Sequence, residues 1–164
     1  MLNRSLNKLE ETPIMQIANY GRSYTKNTGK KILPAWFGEG NQPTKKIIYN
    51  NTIDSLVSGN TFYTYQNGTP KIREAMKNYM NSVFDIKTNS NNHSLVNGGM
   101  LGIKIICDML IEKNDEVVIV GPVWPNIKSS VLLRDAKIIE VDLELEDEWK
   151  LDLKKLFKAI TDST

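Results

Sequence analysis

The sequence predicts an α/β fold in which helices cover a mostly parallel sheet. Residues 116–120 read EVVIV, a continuous β-branched run that is typical of a strand buried on both faces. From about Ser94 onward, strand-like and helix-like patterns alternate along the chain. This alternation favours parallel strands that are joined by right-handed helical crossovers.

The first half of the chain predicts helices separated by loops rich in helix breakers. Thr12 and Pro13 predict a helix start, because threonine can cap a helix and proline fits its first position. Gly29 is a suitable stop for that helix. A second, less regular helix is predicted over residues 45–57, after an extended segment at 32–37 and a loop at 38–44.

The next elements follow from helical spacing and from strand-like apolar runs. Thr69 and Pro70 start a further amphipathic helix, which ends before the polar stretch 87–92. Beyond it, the predicted strands cover 94–96, 116–120 and 137–143, and the predicted helices cover 98–111, 124–133 and 151–160.

The bulk composition indicates a globular protein without a strong electrostatic preference. Of the 164 residues, 40% are hydrophobic and 24% are charged, which favours a folded chain over a disordered one. The net charge of +2 gives no argument for nucleic acid or membrane partners. A single cysteine, Cys107, excludes an internal disulfide and is expected to be a buried, inert thiol. With no apolar leader at the N-terminus, we expect a cytoplasmic protein, and we predict no metal site.

Two glycines stand where a predicted strand ends and a predicted helix begins. Asn97, Gly98 and Gly99 read NGG and are followed by Met100. A helix N-terminus offers N–H groups and the positive end of a dipole, both of which suit a phosphate. Glycine lets an oxygen-rich group approach the backbone closely. The same residues also suit a simple tight turn, so the motif alone leaves both interpretations open.

A tryptophan follows the predicted strand 116–120. Residues 121–126 read GPVWPN, and prolines restrict the backbone on both sides of Trp124. In open parallel sheets, ligands bind beyond the carboxyl ends of the strands. Trp124 therefore offers either a flat stacking surface at that edge or an ordinary core side chain.

Four motifs occur in one order along the chain, and together they resemble a known family. They are GEGNQPT at 38–44, YTYQNGTPKIREA at 63–75, NGG at 97–99 and GPVWPNIKS at 121–129. The chain resembles the class I/II aminotransferases, the aspartate-aminotransferase-like branch of fold-type-I pyridoxal-phosphate (PLP) enzymes, from about Thr12 to its end. The resemblance implies an arm and small-domain segment over 1–57 and the first part of the PLP-binding large domain over 58–164.

The resemblance also implies roles for individual residues. Gly98, Gly99 and Met100 would meet the PLP phosphate, mainly through the N–H groups of Gly99 and Met100. Trp124 would stack on the pyridine ring of the cofactor. Tyr63 would reach the phosphate of the neighbouring subunit's cofactor, which implies a homodimer.

Further implied roles concern the substrate and the departures from the family pattern. Gly38 would lie beside the substrate carboxylate, and Tyr65 is an alternative to Tyr63 as a phosphate ligand. Met100 stands where the family often has a polar residue, so only its N–H can serve the phosphate.

The activity implied is the transfer of an amino group between an amino acid and a 2-oxo acid. The Schiff-base lysine of the family has no match in this chain, so we expect no catalytic residue here and a chain that is inactive alone. Lys104 and Lys128, the lysines nearest to the site in sequence, are expected on helix surfaces. A C–S lyase or decarboxylase of the same fold, or a non-catalytic remnant with weak PLP binding, stays open as an alternative.

The resemblance finally implies that the sheet is incomplete. In this fold, strand 94–96 is not a neighbour of strands 116–120 and 137–143, so it would be left unjoined. Open strand edges and an uncovered apolar helix face predict association or poor solubility.

Overall fold

A computed structural model describes residues 4–164 of the chain. Short 3₁₀ turns cover Arg4–Lys8 and Ser90–Asn92. The other elements, in chain order, are α1 (Pro13–Thr28), α2 (Lys46–Val57), α3 (Pro70–Phe84), α4 (Gly99–Leu110), β1 (Glu116–Gly121), α5 (Asn126–Leu132), β2 (Lys137–Asp142) and α6 (Leu153–Ala159).

The described chain forms two compact units. The layered unit contains residues 4–37 and Gly98–Thr164, and the middle unit contains Gly38–Asn97. These two units are defined by contacts between residues of the present chain. The boundary predicted between residues 57 and 58 concerns the domains of the whole fold and stays a prediction.

The helix starts predicted from local sequence are confirmed. Thr12 precedes α1 with an extended backbone, but its side chain makes no capping hydrogen bond, so Pro13 alone marks this start. Gly29 ends the helix in the left-handed region at φ 69°. Thr69 precedes α3, where its Oγ1 accepts a hydrogen bond from the Ile72 N–H at 3.3 Å. These ends depend on groups within one turn of the chain, and this is why sequence alone predicts them.

The sheet of the described chain consists of β1 and β2, and the prediction of an incomplete sheet is confirmed. The two strands run parallel, with Glu116 opposite Lys137 and Gly121 opposite Asp142. The prediction of a strand at 94–96 is wrong for this chain. Its Leu95 N–H donates to the Asn67 carbonyl at 3.0 Å, a loop contact in the middle unit. A strand needs a neighbouring ladder, and this segment has none among residues 4–164.

The core of the layered unit lies between the sheet and one layer of helices. Cys107, Ile119, Val131 and Ala136 are at most 7% exposed. The partly buried residues packed around them are Ile103, Ile111, Val117, Val123, Ile127 and Ile138. Burial raises the pKa of the Cys107 thiol, with a smaller contribution from the Asp108 charge, so it agrees with the predicted unreactive thiol.

The prediction that β1 is buried on both faces is wrong for this chain. Ile119 is 7% exposed, whereas Val120, whose side chain points to the opposite face, is 37% exposed. The β-branched run therefore predicts the strand correctly but overstates how much of it the present chain covers.

The N-terminal turn is held against the turn that follows α5. Asp135 Oδ1 accepts a hydrogen bond from the Ser5 hydroxyl at 3.0 Å and from the Lys8 ammonium at 2.6 Å. The bonds from Lys8 and then from Ser5 lower the pKa of the Asp135 carboxyl. Asp135 also has a left-handed backbone at φ 57°, which aspartate and asparagine tolerate well.

We expect Asp135→Asn to lower the free energy of unfolding at neutral pH and to have little effect in strong acid. The folded-state pKa lies below the unfolded value, so the charged contact stabilises above the unfolded pKa and is lost as pH falls through the folded pKa. Urea unfolding of both proteins at about pH 7 and about pH 2 measures this difference. An equal loss at both pH values would show that the charge is not the cause.

Gly68 occupies a backbone conformation and a space that both favour glycine. Its φ is 90°, and a Cβ there would lie 3.0 Å from both Ile72 Cγ2 and Leu95 Cβ. Gly59 also has a positive φ, 76°, but a Cβ there meets nothing within 4 Å.

We therefore expect Gly68→Ala to destabilise the middle unit more than Gly59→Ala. Both variants carry a backbone cost of about 1–2 kcal/mol, and only Gly68→Ala adds an overpacking cost of about 1–3 kcal/mol. Urea unfolding followed by circular dichroism gives both free energies. Equal losses would mean that the contacts with Ile72 and Leu95 relax without cost.

Candidate functional site

The N-terminus of α4 is open to a ligand. Gly98 precedes the helix with φ 93° and ψ 148°, and a Cβ at Gly98 or at Gly99 would meet nothing within 4 Å. The Gly102 N–H donates to the Gly98 carbonyl at 3.3 Å, so the N–H groups of Gly99 and Met100 lie before the helical ladder. Unused N–H groups, the positive end of the helix dipole and adjoining free space together suit an oxyanion.

The start of α4 lies toward the end of the sheet where β1 stops. Cys107 of α4 packs against Ile119 of β1, and the short connection 111–115 reverses the chain between them. With about 1.5 Å per helical residue and about 3.3 Å per strand residue, α4 and β1 are each about 18–20 Å long. The reversal therefore places Gly99 toward the same end as Gly121, the last residue of β1.

The loop after β1 presents Trp124 at that end. Its peptide bond between Gly121 and Pro122 is cis, and Val123 packs against the core. Trp124 itself is 50% exposed, so the alternative of a core tryptophan is wrong. The Trp124 carbonyl accepts the Ile127 N–H at 3.2 Å, which ties the loop to the first turn of α5. The ring thus stands on a backbone that is held at both ends.

The two lysines nearest to this site are engaged in ion pairs. Lys104 pairs with Asp108 one turn along α4, and Lys128 of α5 pairs with Glu140 of β2. Both lysine side chains are about one-third exposed. Neither is presented as an unpaired amine.

The remaining predicted site residues belong to the middle unit. Tyr63 is fully exposed and Tyr65 is 64% exposed. Gly38 borders open space, because a Cβ there meets nothing within 4 Å. The structure thus groups Gly98, Gly99, Met100 and Trp124 in the layered unit and leaves Tyr63 and Gly38 in the other.

Arg73, for which the sequence analysis predicts no role, lies beside an open cavity of about 420 Å³. The loop 64–68 lines the rest of this cavity. Arg73 Nη1 donates to Asn91 Oδ1 at 3.2 Å, while its Nε is buried without a partner among the described residues. The sequence pattern that could have pointed to this cavity is an arginine near the start of a helix that follows an aromatic loop.

Residues 4–164 offer neither a metal-binding cluster nor a membrane-spanning helix. That part of the chain holds no group of three His, Cys, Asp or Glu side chains arranged to bind a metal ion. It also contains no helix with the length and apolar character needed to cross a membrane.

Comparison with known proteins identifies the family. Residues 24–164 match the family model described as aminotransferase class I and II. The chain is 27% identical, over 164 residues, to a probable aspartate/prephenate aminotransferase of Rickettsia typhi. This alignment covers 100% of the present chain and 41% of the Rickettsia protein. The chain is also 27% identical over 164 residues to a (5-formylfuran-3-yl)methyl phosphate transaminase of Methanocaldococcus jannaschii, with coverage of 100% and 42%. The chain thus spans about two-fifths of the length of these relatives.

Solved structures show the same fold. The aspartate aminotransferase from Rhizobium meliloti matches with a TM-score of 0.92 at 20% identity, over 99% of this chain and 40% of that one. The aspartate aminotransferase from Thermus thermophilus with maleate matches with a TM-score of 0.92 at 19% identity, over 100% and 43%. The two-stranded sheet and its helices are therefore part of a fold-type-I architecture, and the chain belongs to the class I and II aminotransferase family.

Proposed function

We propose that this chain is the N-terminal, cofactor-binding part of a PLP-dependent aminotransferase, which moves an amino group between an amino acid and a 2-oxo acid. The observation that carries the proposal is the open start of α4 at Gly98 and Gly99, at the same end of the sheet as the half-exposed Trp124. Membership of the family supports the same conclusion.

The chemistry of the residues at this end suits PLP. The N–H groups of Gly99 and Met100 would hold the phosphate, aided by the helix dipole and by the absence of a side chain at Gly98. Trp124 would cover one face of the pyridine ring, since its exposed ring is fixed by the loop that carries it. When bound, PLP supplies an electron sink that stabilises negative charge developing on the amino acid.

We further propose that the whole protein is a homodimer with shared sites. Tyr63 is fully exposed on a loop of the middle unit, so its hydroxyl is available to another subunit. Gly38, beside open space, would let a substrate carboxylate approach the backbone. The domain boundary at 57/58 and the cytoplasmic location stay predictions.

The proposal names a class of reaction, amino transfer, and does not assign one amino donor. The relatives bear names that include aspartate, prephenate and a furan phosphate as substrates. A C–S lyase would use the same cofactor site, and substrate profiling of a longer gene product separates the two activities.

The cofactor proposal is tested by comparing Trp124→Ala with Trp149→Ala. Both tryptophans are 50% exposed, but Trp149 lies in the turn before α6 and has no proposed contact with PLP. Loss of stacking of about 0.5–1.5 kcal/mol predicts a PLP Kd roughly 2- to 10-fold higher for Trp124→Ala and an unchanged Kd for Trp149→Ala. Equilibrium dialysis measures both values. An equal change in the two variants would remove Trp124 from the proposed site.

A further inference from the structure

Two aromatic rings precede Gly38 and are anchored to α1. Trp36 lies against Gly21 of α1, where a Cβ would come within 2.6 Å of Trp36 Cη2 and 2.8 Å of Ile32 Cδ1. Gly21 is buried, so the absence of its side chain is what lets the indole approach the helix this closely. Phe37 meets the indole edge to face, with ring centroids 6.5 Å apart and ring planes at 82°. The Phe37 ring is therefore held at the end of a segment that packs on α1.

Phe37 is joined directly to the residue proposed beside the substrate carboxylate. It belongs to the layered unit, which also contains Gly98, Gly99 and Trp124. The next residue is Gly38, whose Cα lies about 3.8 Å from the Phe37 Cα across a trans peptide bond. The side chain of an amino acid is attached to the same carbon as its carboxylate. A carboxylate at Gly38 therefore brings the substrate side chain within reach of the Phe37 ring.

The segment around these rings is apolar and contains no cation. Residues 32–44 include no lysine, arginine or histidine, and their single charged residue is Glu39. The second carboxylate of a substrate such as aspartate would meet the Phe37 ring and the like charge of Glu39. A carboxylate that loses water without gaining a partner is strongly disfavoured, whereas an aromatic ring gains from contact with another ring beyond the area that is buried. The chemistry of the segment therefore favours an apolar substrate side chain over an acidic one.

We propose that Phe37 contacts the side chain of the amino acid substrate and selects large apolar side chains, phenylalanine above all, over acidic ones. This inference rests on the proposed function, since it needs PLP at the start of α4 and the substrate carboxylate at Gly38. Trp36 is a positioning residue for the same selection, because it contacts the Phe37 ring and is itself fixed against Gly21.

Two stable compounds of cofactor and substrate test the inference on the unsubstituted 164-residue chain. N-(5′-phosphopyridoxyl)-L-phenylalanine and N-(5′-phosphopyridoxyl)-L-aspartate each carry the phosphate, the pyridine ring and one amino acid, joined by a secondary amine. Their binding therefore needs no catalytic lysine. In equilibrium dialysis we expect a Kd at least roughly tenfold lower for the phenylalanine compound than for the aspartate compound.

PLP alone is the reference that separates this inference from the proposed function. If neither PLP nor the two compounds bind, the proposed function fails and the inference fails with it. If PLP binds but the two compounds bind equally, or the aspartate compound binds more tightly, the cofactor site stands and selection by Phe37 is wrong.

Substitution of Phe37 assigns the selection to this ring. Phe37→Ala should raise the Kd of the phenylalanine compound roughly five- to tenfold and leave the Kd values of PLP and of the aspartate compound unchanged. Phe37→Leu keeps a large apolar side chain and should recover most of the lost affinity. Phe84→Ala is the matched control, because Phe84 is 55% exposed, forms a similar edge-to-face pair with Tyr79 and lies in the middle unit; it should change none of the three values. Equal weakening of all three ligands by Phe37→Ala would make Phe37 a purely structural residue and overturn the proposal.

Discussion

Replacing Gly99 with aspartate will strongly weaken PLP binding without destabilising the fold. Gly99 is the first residue of α4, where a carboxylate interacts favourably with the helix dipole and so supports the helix. The same carboxylate would occupy the space proposed for the phosphate, and repulsion between charges about 4 Å apart amounts to about 4 kcal/mol at an effective dielectric constant of about 20. We expect a PLP Kd at least roughly tenfold higher, with an unchanged or higher urea midpoint.

Two comparisons show whether this effect arises at the phosphate. Pyridoxal lacks the phosphate, so its weak binding should differ little between Gly99→Asp and the unsubstituted chain. Gly40→Asp provides the matched control, since a Cβ there also meets nothing within 4 Å but the residue lies far along the sequence from α4. If Gly99→Asp binds PLP as tightly as the unsubstituted chain, the phosphate does not lie at the start of α4.

The second prediction concerns the rate of amino transfer. Mixed with PLP, an amino acid and a 2-oxo acid, the 164-residue chain should bind the cofactor and transfer no amino group faster than free PLP does. Amino transfer needs an amine that can attack the cofactor and then carry a proton, and a positioned acid–base group typically contributes about 10²–10⁴ in rate. The lysines nearest to the site, Lys104 and Lys128, are held by Asp108 and Glu140.

A coupled assay for the new 2-oxo acid, with free PLP as the background, measures this rate. Lys104→Met and Lys128→Met give matched variants that remove each amine while keeping an apolar stem of similar length. A rate above background that falls in one of these variants would assign that lysine as the catalytic amine. That result would contradict the expectation of an inactive chain.

The sequence by itself determined those features whose causes are local. Pro13 predicts where α1 begins, and Thr69 with Pro70 predicts where α3 begins, because a first-turn proline and a capping side chain act within one helical turn. The continuous run EVVIV predicts β1, and four motifs in order predict the family that the comparisons then showed. Local sequence also predicted the NGG turn before α4 and the proline-flanked loop of Trp124, each as a separate feature.

Only the tertiary structure decided which surfaces are covered and which side chains meet. It showed that residues 94–96 form no strand, that β1 is buried mainly on the Ile119 face, and that Trp124 is half exposed and not in the core. It also placed Arg73 beside an open cavity. The physical reason is that a helix satisfies its hydrogen bonds within its own segment, whereas a strand and a buried face depend on partners distant in the chain.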